Sequence, residues 1–165
     1  MARKHHWEEI EIGDVLTPEV HYVSQEHIDK FQGFLGHGPE SLVDGDRGTE
    51  HNFHMNEQYA RRTAFGGAVG DGNQMVNYLV ELATDWLPYG AVVSGYTHLD
   101  AKITNPTRPG DVVTATGTVK DKYVESGRKF VLLELEAHAK RPGVDERRLV
   151  VMGTLRTFVP DQPAK

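Results

Sequence analysis

The sequence predicts an α+β fold in which one long antiparallel sheet wraps around a central helix. The chain after Gly90 is rich in β-branched residues, and turn sequences divide it into four runs, at 92–103, 111–124, 129–140 and 148–159. The segment before these runs has helical periodicity with an unusually wide apolar stripe. An antiparallel sheet with one apolar face must cover that face, and this helix is the only segment long and apolar enough to do so.

The central helix is predicted to open at Asp71-Gly72-Asn73 and to run to about Trp86, because Pro88 then ends it. Its apolar residues cover more than half of the circumference in places, which is typical of a helix buried on most sides. The stripe consists of Met75, Val76, Leu79, Leu82, Ala83 and Trp86.

The first part of the chain predicts one more helix and one more strand. Ser24 is placed to cap a helix whose apolar residues Ile28, Phe31 and Leu35 share one face. The segment Trp7–Ile12 is a candidate for a further strand of the sheet. After the helix, residues 36–50 form a Gly/Asp-rich loop, and a loop of this length in a compact domain is usually functional or disordered.

Length and composition indicate a single domain that spans 1–165. The 165 residues contain no cysteine, which excludes thiol nucleophiles, thiolate zinc sites and iron–sulfur clusters. The formal net charge of −6 and the shortness of the basic clusters argue against nucleic acid as a partner. Since no apolar run approaches the roughly 20 residues of a membrane helix and the start resembles no targeting signal, we expect a soluble, cytoplasmic protein with no membrane partner.

One stretch of the sequence carries a motif. The run Asn52–Thr63, followed by Phe65–Val69 and Asp71-Gly72, resembles the active-site stretch of the MaoC-like dehydratases, a family that includes the R-specific enoyl-CoA hydratases. That family has an Asp and a His five residues apart, an acidic position two after the His, a Tyr/Phe-Ala pair, a Gly-rich turn and a Gly that opens the central helix. The segment 103–111 resembles a strand and turn of the same family. The resemblance spans about residues 7–158 and implies the hot-dog fold.

The resemblance also implies a function. It implies a single MaoC-like hot-dog domain with the 36–50 loop over the site, acting as an enoyl-thioester (acyl-CoA) hydratase or dehydratase. Such an enzyme adds water reversibly to a trans-2-enoyl-CoA and needs no cofactor, because CoA is part of the substrate. It implies a homodimer or higher homo-oligomer in which two sheets pair edge to edge.

The chemistry explains why these residue types are needed. Hydration of an α,β-unsaturated thioester needs a base for water, an acid for Cα and a donor for the enolate oxygen. Imidazole gains and loses a proton near neutral pH, so His54 is expected to transfer protons. Gly72 is expected to offer its N–H at the positive end of the central helix. The motif makes Asn52, Phe65, Gly66 and Gly67 further candidates for binding the substrate.

The sequence departs from the family pattern at the catalytic Asp, where Thr49 stands. Glu50 lies one residue further on and is a candidate catalytic replacement. Asp71 is a second candidate, since it stands where a His commonly precedes the helix-opening Gly; the alternative, simpler role is that of an N-cap for the central helix. Asn56 replaces the acidic residue two after the His.

Three other interpretations remain open at this point. A hot-dog acyl-CoA thioesterase would use Glu50, Asp46 or Asp71 to activate water against the thioester carbonyl. A non-catalytic acyl-thioester-binding subunit would have lost the usual Asp and would pair with an active partner. A metal site at His51 and His54 is only weakly indicated because no matching downstream ligands follow, so we expect no metal.

Overall fold

The computed structural model describes residues 4–36 and 51–160, and these form an antiparallel sheet around one long helix. The strands are β1 (Glu19–Tyr22), β2 (His98–Ile103), β3 (Val112–Glu125), β4 (Arg128–Lys140) and β5 (Arg147–Phe158), in the order β1-β3-β4-β5-β2. The helices are α1 (Gln25–Phe34), α2 (Glu57–Ala60) and α3 (Gly72–Trp86), with a short 3-10 turn at Trp7–Glu9. The α+β prediction is confirmed. None of the helices within the described ranges combines the length and hydropathy needed to cross a bilayer.

The core lies between α3 and the concave face of the sheet. The predicted stripe is buried as expected, with Leu79 fully inaccessible and Val76 only partly covered. Opposite the helix, every second residue of the long strands points inward because side chains alternate along a strand. The fully buried strand residues include Val113, Ala115, Val131, Leu133, Leu135 and Leu155.

Two irregularities help the long strands to curve around the helix. The β3–β4 register shifts between Val119 and Asp121, and the β4–β5 register shifts between Ala137 and His138. Such bulges bend a strand and increase its twist. The sheet can therefore wrap around α3 even though β3 alone runs for 14 residues.

The first strand is not where the sequence placed it. Trp7–Ile12 contains the 3-10 turn, and the strand at that edge is Glu19–Tyr22, which pairs with β3. The run predicted at 92–103 forms a strand only from His98, because Ser94 N donates to Ala91 O and Gly95 adopts a positive φ in the turns that precede it.

The helix α1 begins as predicted but buries a different face. Ser24 caps it by accepting a hydrogen bond from His27 N at 3.1 Å. The buried residues are Ile28 and Gln32, whereas Leu35 is 38% exposed and Phe31 is half-buried. The prediction of one apolar face was wrong because a polar side chain occupies the inward position. Apart from Gly36, the predicted 36–50 loop lies outside the described residues.

Candidate active site

His54 lies shortly before α2, and its backbone is held by two amide side chains. Asn52 Oδ1 accepts hydrogen bonds from His54 N at 2.8 Å and from Met55 N at 3.3 Å. Gln25 Nε2 donates to His54 O at 2.8 Å. The imidazole Nδ1 lies 2.8 Å from Val69 O. Since a carbonyl only accepts, Nδ1 carries the hydrogen, and the neutral ring presents the lone pair of Nε2.

Asp71 caps α3 and also faces His54. Its Oδ1 accepts a hydrogen bond from Asn73 N at 2.7 Å, as an N-cap does. Its Oδ2 lies 3.7 Å from His54 Nε2, and the two side chains are only 13% and 15% exposed. The sequence left capping and facing the site as alternatives, but one carboxylate does both.

Gln32 is a site residue that the sequence analysis missed. It is 1% exposed on the inward face of α1, where its Nε2 donates to Asp71 Oδ2 at 2.7 Å and its Oε1 accepts from Asn52 Nδ2 at 3.1 Å. One side chain therefore links α1, the His54 segment and the start of α3. The sequence could have indicated that Gln32 faces inward, because Gln32 lies one helical turn after the apolar residue Ile28 and therefore on the same face of α1.

The start of α3 is packed closely against the end of β2 and the segment that follows it. Gly70 N donates to Thr107 O at 2.9 Å, and a Cβ on Gly72 would lie 2.5 Å from Ile103 Cδ1. Asn73 N is used by the cap, while Gly72 N makes no hydrogen bond to any residue in the described ranges. Within the described part of the chain, the N–H of Gly72, next to Asp71, is therefore left for another acceptor.

Aromatic rings lie next to His54. The Phe53 ring is 4.2 Å from the His54 ring and 5.0 Å from that of Phe65, measured between centroids. Phe65 is 38% exposed and begins the turn that Gly66 and Gly67 complete with positive φ angles. The predicted Phe65–Gly67 turn and the histidine therefore border one partly apolar surface.

The turn is fixed by charged side chains from two directions. The Arg108 guanidinium donates to Phe65 O, and Glu57 Oε2 accepts from Ala68 N at 2.7 Å. The hydrogen bond from Ala68 N, followed by that from Arg61, lowers the pKa of Glu57. Asn56 caps α2 by accepting from Tyr59 N at 2.9 Å.

Solved structures with this architecture exist, although no family model and no curated protein matches the chain. The R-hydratase PhaJ1 from Pseudomonas aeruginosa, in the unliganded form, is 18% identical and superposes with a TM-score of 0.69, covering 95% of this chain and 86% of its own. The (R)-hydratase from A. caviae involved in PHA biosynthesis is 18% identical with a TM-score of 0.69, over 93% and 99% of the two chains.

A MaoC-like dehydratase from Rhodospirillum rubrum is 22% identical with a TM-score of 0.67, over 97% of this chain and 99% of its own. The chain has the hot-dog fold of these proteins. The predicted fold is thereby confirmed, and the resemblance seen in the sequence is borne out at the level of the fold.

The acidic candidates from the predicted loop and the predicted metal ligand His51 have different outcomes. Thr49, Glu50 and the alternative Asp46 lie outside the described residues. His51 packs its ring edge-on against Tyr59, 5.4 Å between centroids, and belongs to no group of three or more metal-ligating side chains among the residues that the structure describes.

Metal-ligating side chains come together elsewhere. Among residues 4–36 and 51–160, three side chains that could bind a metal ion lie together, namely Glu19, His21 and Glu81. Their potential ligand atoms lie within 4.8 Å of one another. Burial and, next, the charges of Asp85 and Glu81 raise the pKa of Glu19 to about 7. Neither His54 nor Asp71 belongs to this group, which lies on β1 and the later turns of α3.

Proposed function

We propose that the chain is a MaoC-like hydratase or dehydratase that adds water reversibly to the double bond of a trans-2-enoyl thioester, with acyl-CoA as its substrate. The observation that carries the proposal is the separation of 3.7 Å between His54 Nε2 and Asp71 Oδ2 at the start of α3. The likeness of the fold to R-hydratases and a MaoC-like dehydratase supports it.

The separation of 3.7 Å leaves no room for a water directly between these atoms, but a water to one side of the line that joins them can bridge both. Such a water donates one hydrogen to His54 Nε2 and the other to Asp71 Oδ2, at ordinary hydrogen-bond lengths. His54 takes the first proton as the water oxygen bonds to Cβ of the enoyl group. The imidazolium, whose charge Asp71 balances, then returns that proton to Cα, so that the elements of water are added and His54 is regenerated.

The negative charge of the intermediate collects on the thioester oxygen. The N–H of Gly72 is the donor proposed for that oxygen, with the positive end of α3 behind it. Ile103 fills the space beside the Gly72 Cα, so the carbonyl must approach the N–H from a side other than that of Ile103. Phe53 and Phe65 supply apolar contacts for the acyl chain.

The remaining expectations belong to the same proposal. Asn52 acts through the backbone of His54, and Gly66 and Gly67 shape the turn beside the substrate. No cofactor is expected apart from the CoA of the substrate. A homodimer that pairs sheet edges and a cytoplasmic location stay predictions.

The test is a hydration assay of the purified protein with short and medium trans-2-enoyl-CoA thioesters. We expect enoyl absorbance to fall without release of free thiol, and His54→Ala to abolish the reaction. The exposed His27→Ala serves as the matched control and keeps the activity. Release of thiol would instead identify a thioesterase, and inactivity at every chain length would favour the non-catalytic subunit; either result overturns the proposal.

Glu50 requires its own variant, since it remains a candidate to take the role of the family's catalytic Asp, whose position is occupied by Thr49. If Glu50→Gln loses turnover in this assay, Glu50 joins His54 in the chemistry and the role given to Asp71 must be revised. If turnover is retained, Glu50 is excluded.

A further inference from the structure

We propose that Gln32 is a positioning residue that aims the Asp71 carboxylate at His54; its effect on turnover rests on the proposed function. Gln32 is 1% exposed and donates to Asp71 Oδ2 at 2.7 Å. The capping bond from Asn73 N holds only Oδ1. Gln32 therefore supplies the contact that fixes the second oxygen on the side of His54.

The direction of each hydrogen bond in this network is determined by chemistry. Backbone N–H groups only donate, so the atom of Asn52 that receives the His54 and Met55 N–H groups is its oxygen. The other end of that amide is then the NH₂ group, which donates to Gln32 Oε1 at 3.1 Å. The carboxamide of Gln32 must consequently turn its own NH₂ toward Asp71.

This polarity has a consequence for the carboxylate. Asp71 Oδ2 receives an N–H from Gln32, so this oxygen acts as an acceptor on the side that faces His54. The network begins at the backbone of His54 and ends at the carboxylate that faces the His54 ring. It therefore fixes the relative position of two groups that lie 17 positions apart in the chain, from 54 to 71.

A nonpolar substitution tests the positioning role. Gln32→Leu removes both hydrogen bonds, and we expect kcat to fall about 100-fold while KM changes little, because misplacing a reacting group by about 1 Å has such an effect. Ile28→Val, on the same buried face of α1, is the matched control: it lowers the melting temperature and leaves kcat unchanged. A kcat for Gln32→Leu close to that of the control would refute the proposal.

A second variant separates positioning from folding. In Gln32→Glu the introduced carboxyl is buried beside Asp71, so burial and like charge raise its pKa and it holds a proton near neutral pH. The protonated group donates to Asp71 Oδ2 as the amide did. We expect kcat close to wild type at low pH and a steep fall as pH rises and this proton is lost, whereas Gln32→Leu stays low throughout. Equal losses in both variants at every pH would contradict a positioning role.

Crystal structures of the wild type and Gln32→Leu give a readout that does not depend on activity. We expect α1 and α3 in unchanged positions and the Asp71 carboxylate turned away from His54 in the variant. If that happens although the wild type hydrates no enoyl thioester, the positioning holds and the proposed reaction is wrong. If the carboxylate stays in place, Gln32 does not position it.

Discussion

Asp71 turns one carboxylate oxygen to the backbone N–H of Asn73 at 2.7 Å and the other toward His54 Nε2 at 3.7 Å. The first contact stabilises the start of α3, and the second brings a negative charge to the proposed base. Because Asn is as good an N-cap as Asp, the two contributions can be separated by substitution.

Asp71→Asn removes the charge and keeps one oxygen that can accept the capping N–H, but its NH₂ group then faces the buried NH₂ group of Gln32. We expect kcat for enoyl-CoA hydration to fall about 100-fold or more, as for loss of a group that assists proton transfer, and the free energy of unfolding to fall by about 1–3 kcal/mol because a buried donor loses its acceptor. Ser24→Ala is the matched control, since it removes the cap of α1 and should lower stability without lowering kcat. Full activity of Asp71→Asn would remove the carboxylate from the mechanism.

The sequence predicted the elements whose patterns are long. The helix α3 has five buried apolar residues at helical spacing and an Asp cap, and the strands β3 to β5 are long runs separated by turn residues. The first strand was missed because Glu19–Tyr22 has only four residues, and its place is set by pairing with residues of β3 that lie 90 to 96 positions further along the chain.

The site was predicted less completely for a related reason. His54, Gly72 and Asp71 lie in a recognisable motif, whereas the contact between Gln32 and Asp71 joins residues 39 positions apart. A periodicity analysis considers only apolar residues. It therefore placed Leu35 on the inward face of α1 beside Ile28, where the structure has the polar residue Gln32. A buried amide becomes visible only when its partners are placed around it.

Asp111 is expected to contribute strongly to stability. Its carboxylate is almost inaccessible and accepts hydrogen bonds from Arg148 Nη2 at 2.7 Å, Arg141 Nε at 3.0 Å and Arg108 N at 2.9 Å. Asp111→Asn leaves two guanidinium groups without their counter-charge, so we expect a loss of about 3 kcal/mol in urea unfolding. Asp145 is fully exposed and lies 3.7 Å from Lys140, so Asp145→Asn is the control and should leave the free energy of unfolding almost unchanged. Similar losses in both variants would argue against this role.

Glu19 makes stability depend on pH. Its pKa is raised to about 7 by burial and then by Asp85 and Glu81, with Lys4 acting in the opposite direction. The folded state therefore binds a proton more tightly than the unfolded state, and the stability from this group is complete below about pH 4.5 and is lost as pH rises through 7.

The measurement is urea unfolding from pH 5 to 8 for the wild type and Glu19→Gln. The neighbouring His21 changes stability with pH in the opposite direction, because burial lowers its pKa and its contribution to the free energy of unfolding grows as pH rises. Both proteins contain His21, so the informative quantity is the difference between their free energies of unfolding at each pH. We expect Glu19→Gln to gain stability relative to the wild type as pH rises. A difference that is constant with pH would contradict this expectation.

Gly70 is expected to be essential for packing rather than for backbone conformation. A Cβ on Gly70 would overlap Oγ1 of Thr107, which is 1% exposed and cannot move into solvent. Gly70→Ala should therefore lower the free energy of unfolding by about 1–3 kcal/mol, and by clearly less in a Thr107→Ala background, where the colliding atom is absent. Gly33→Ala, in α1 with no atom within 4 Å of its Cβ position, should instead stabilise the protein by about 0.5 kcal/mol. An equal cost of Gly70→Ala in both backgrounds would show that contact with Thr107 is not what requires the glycine.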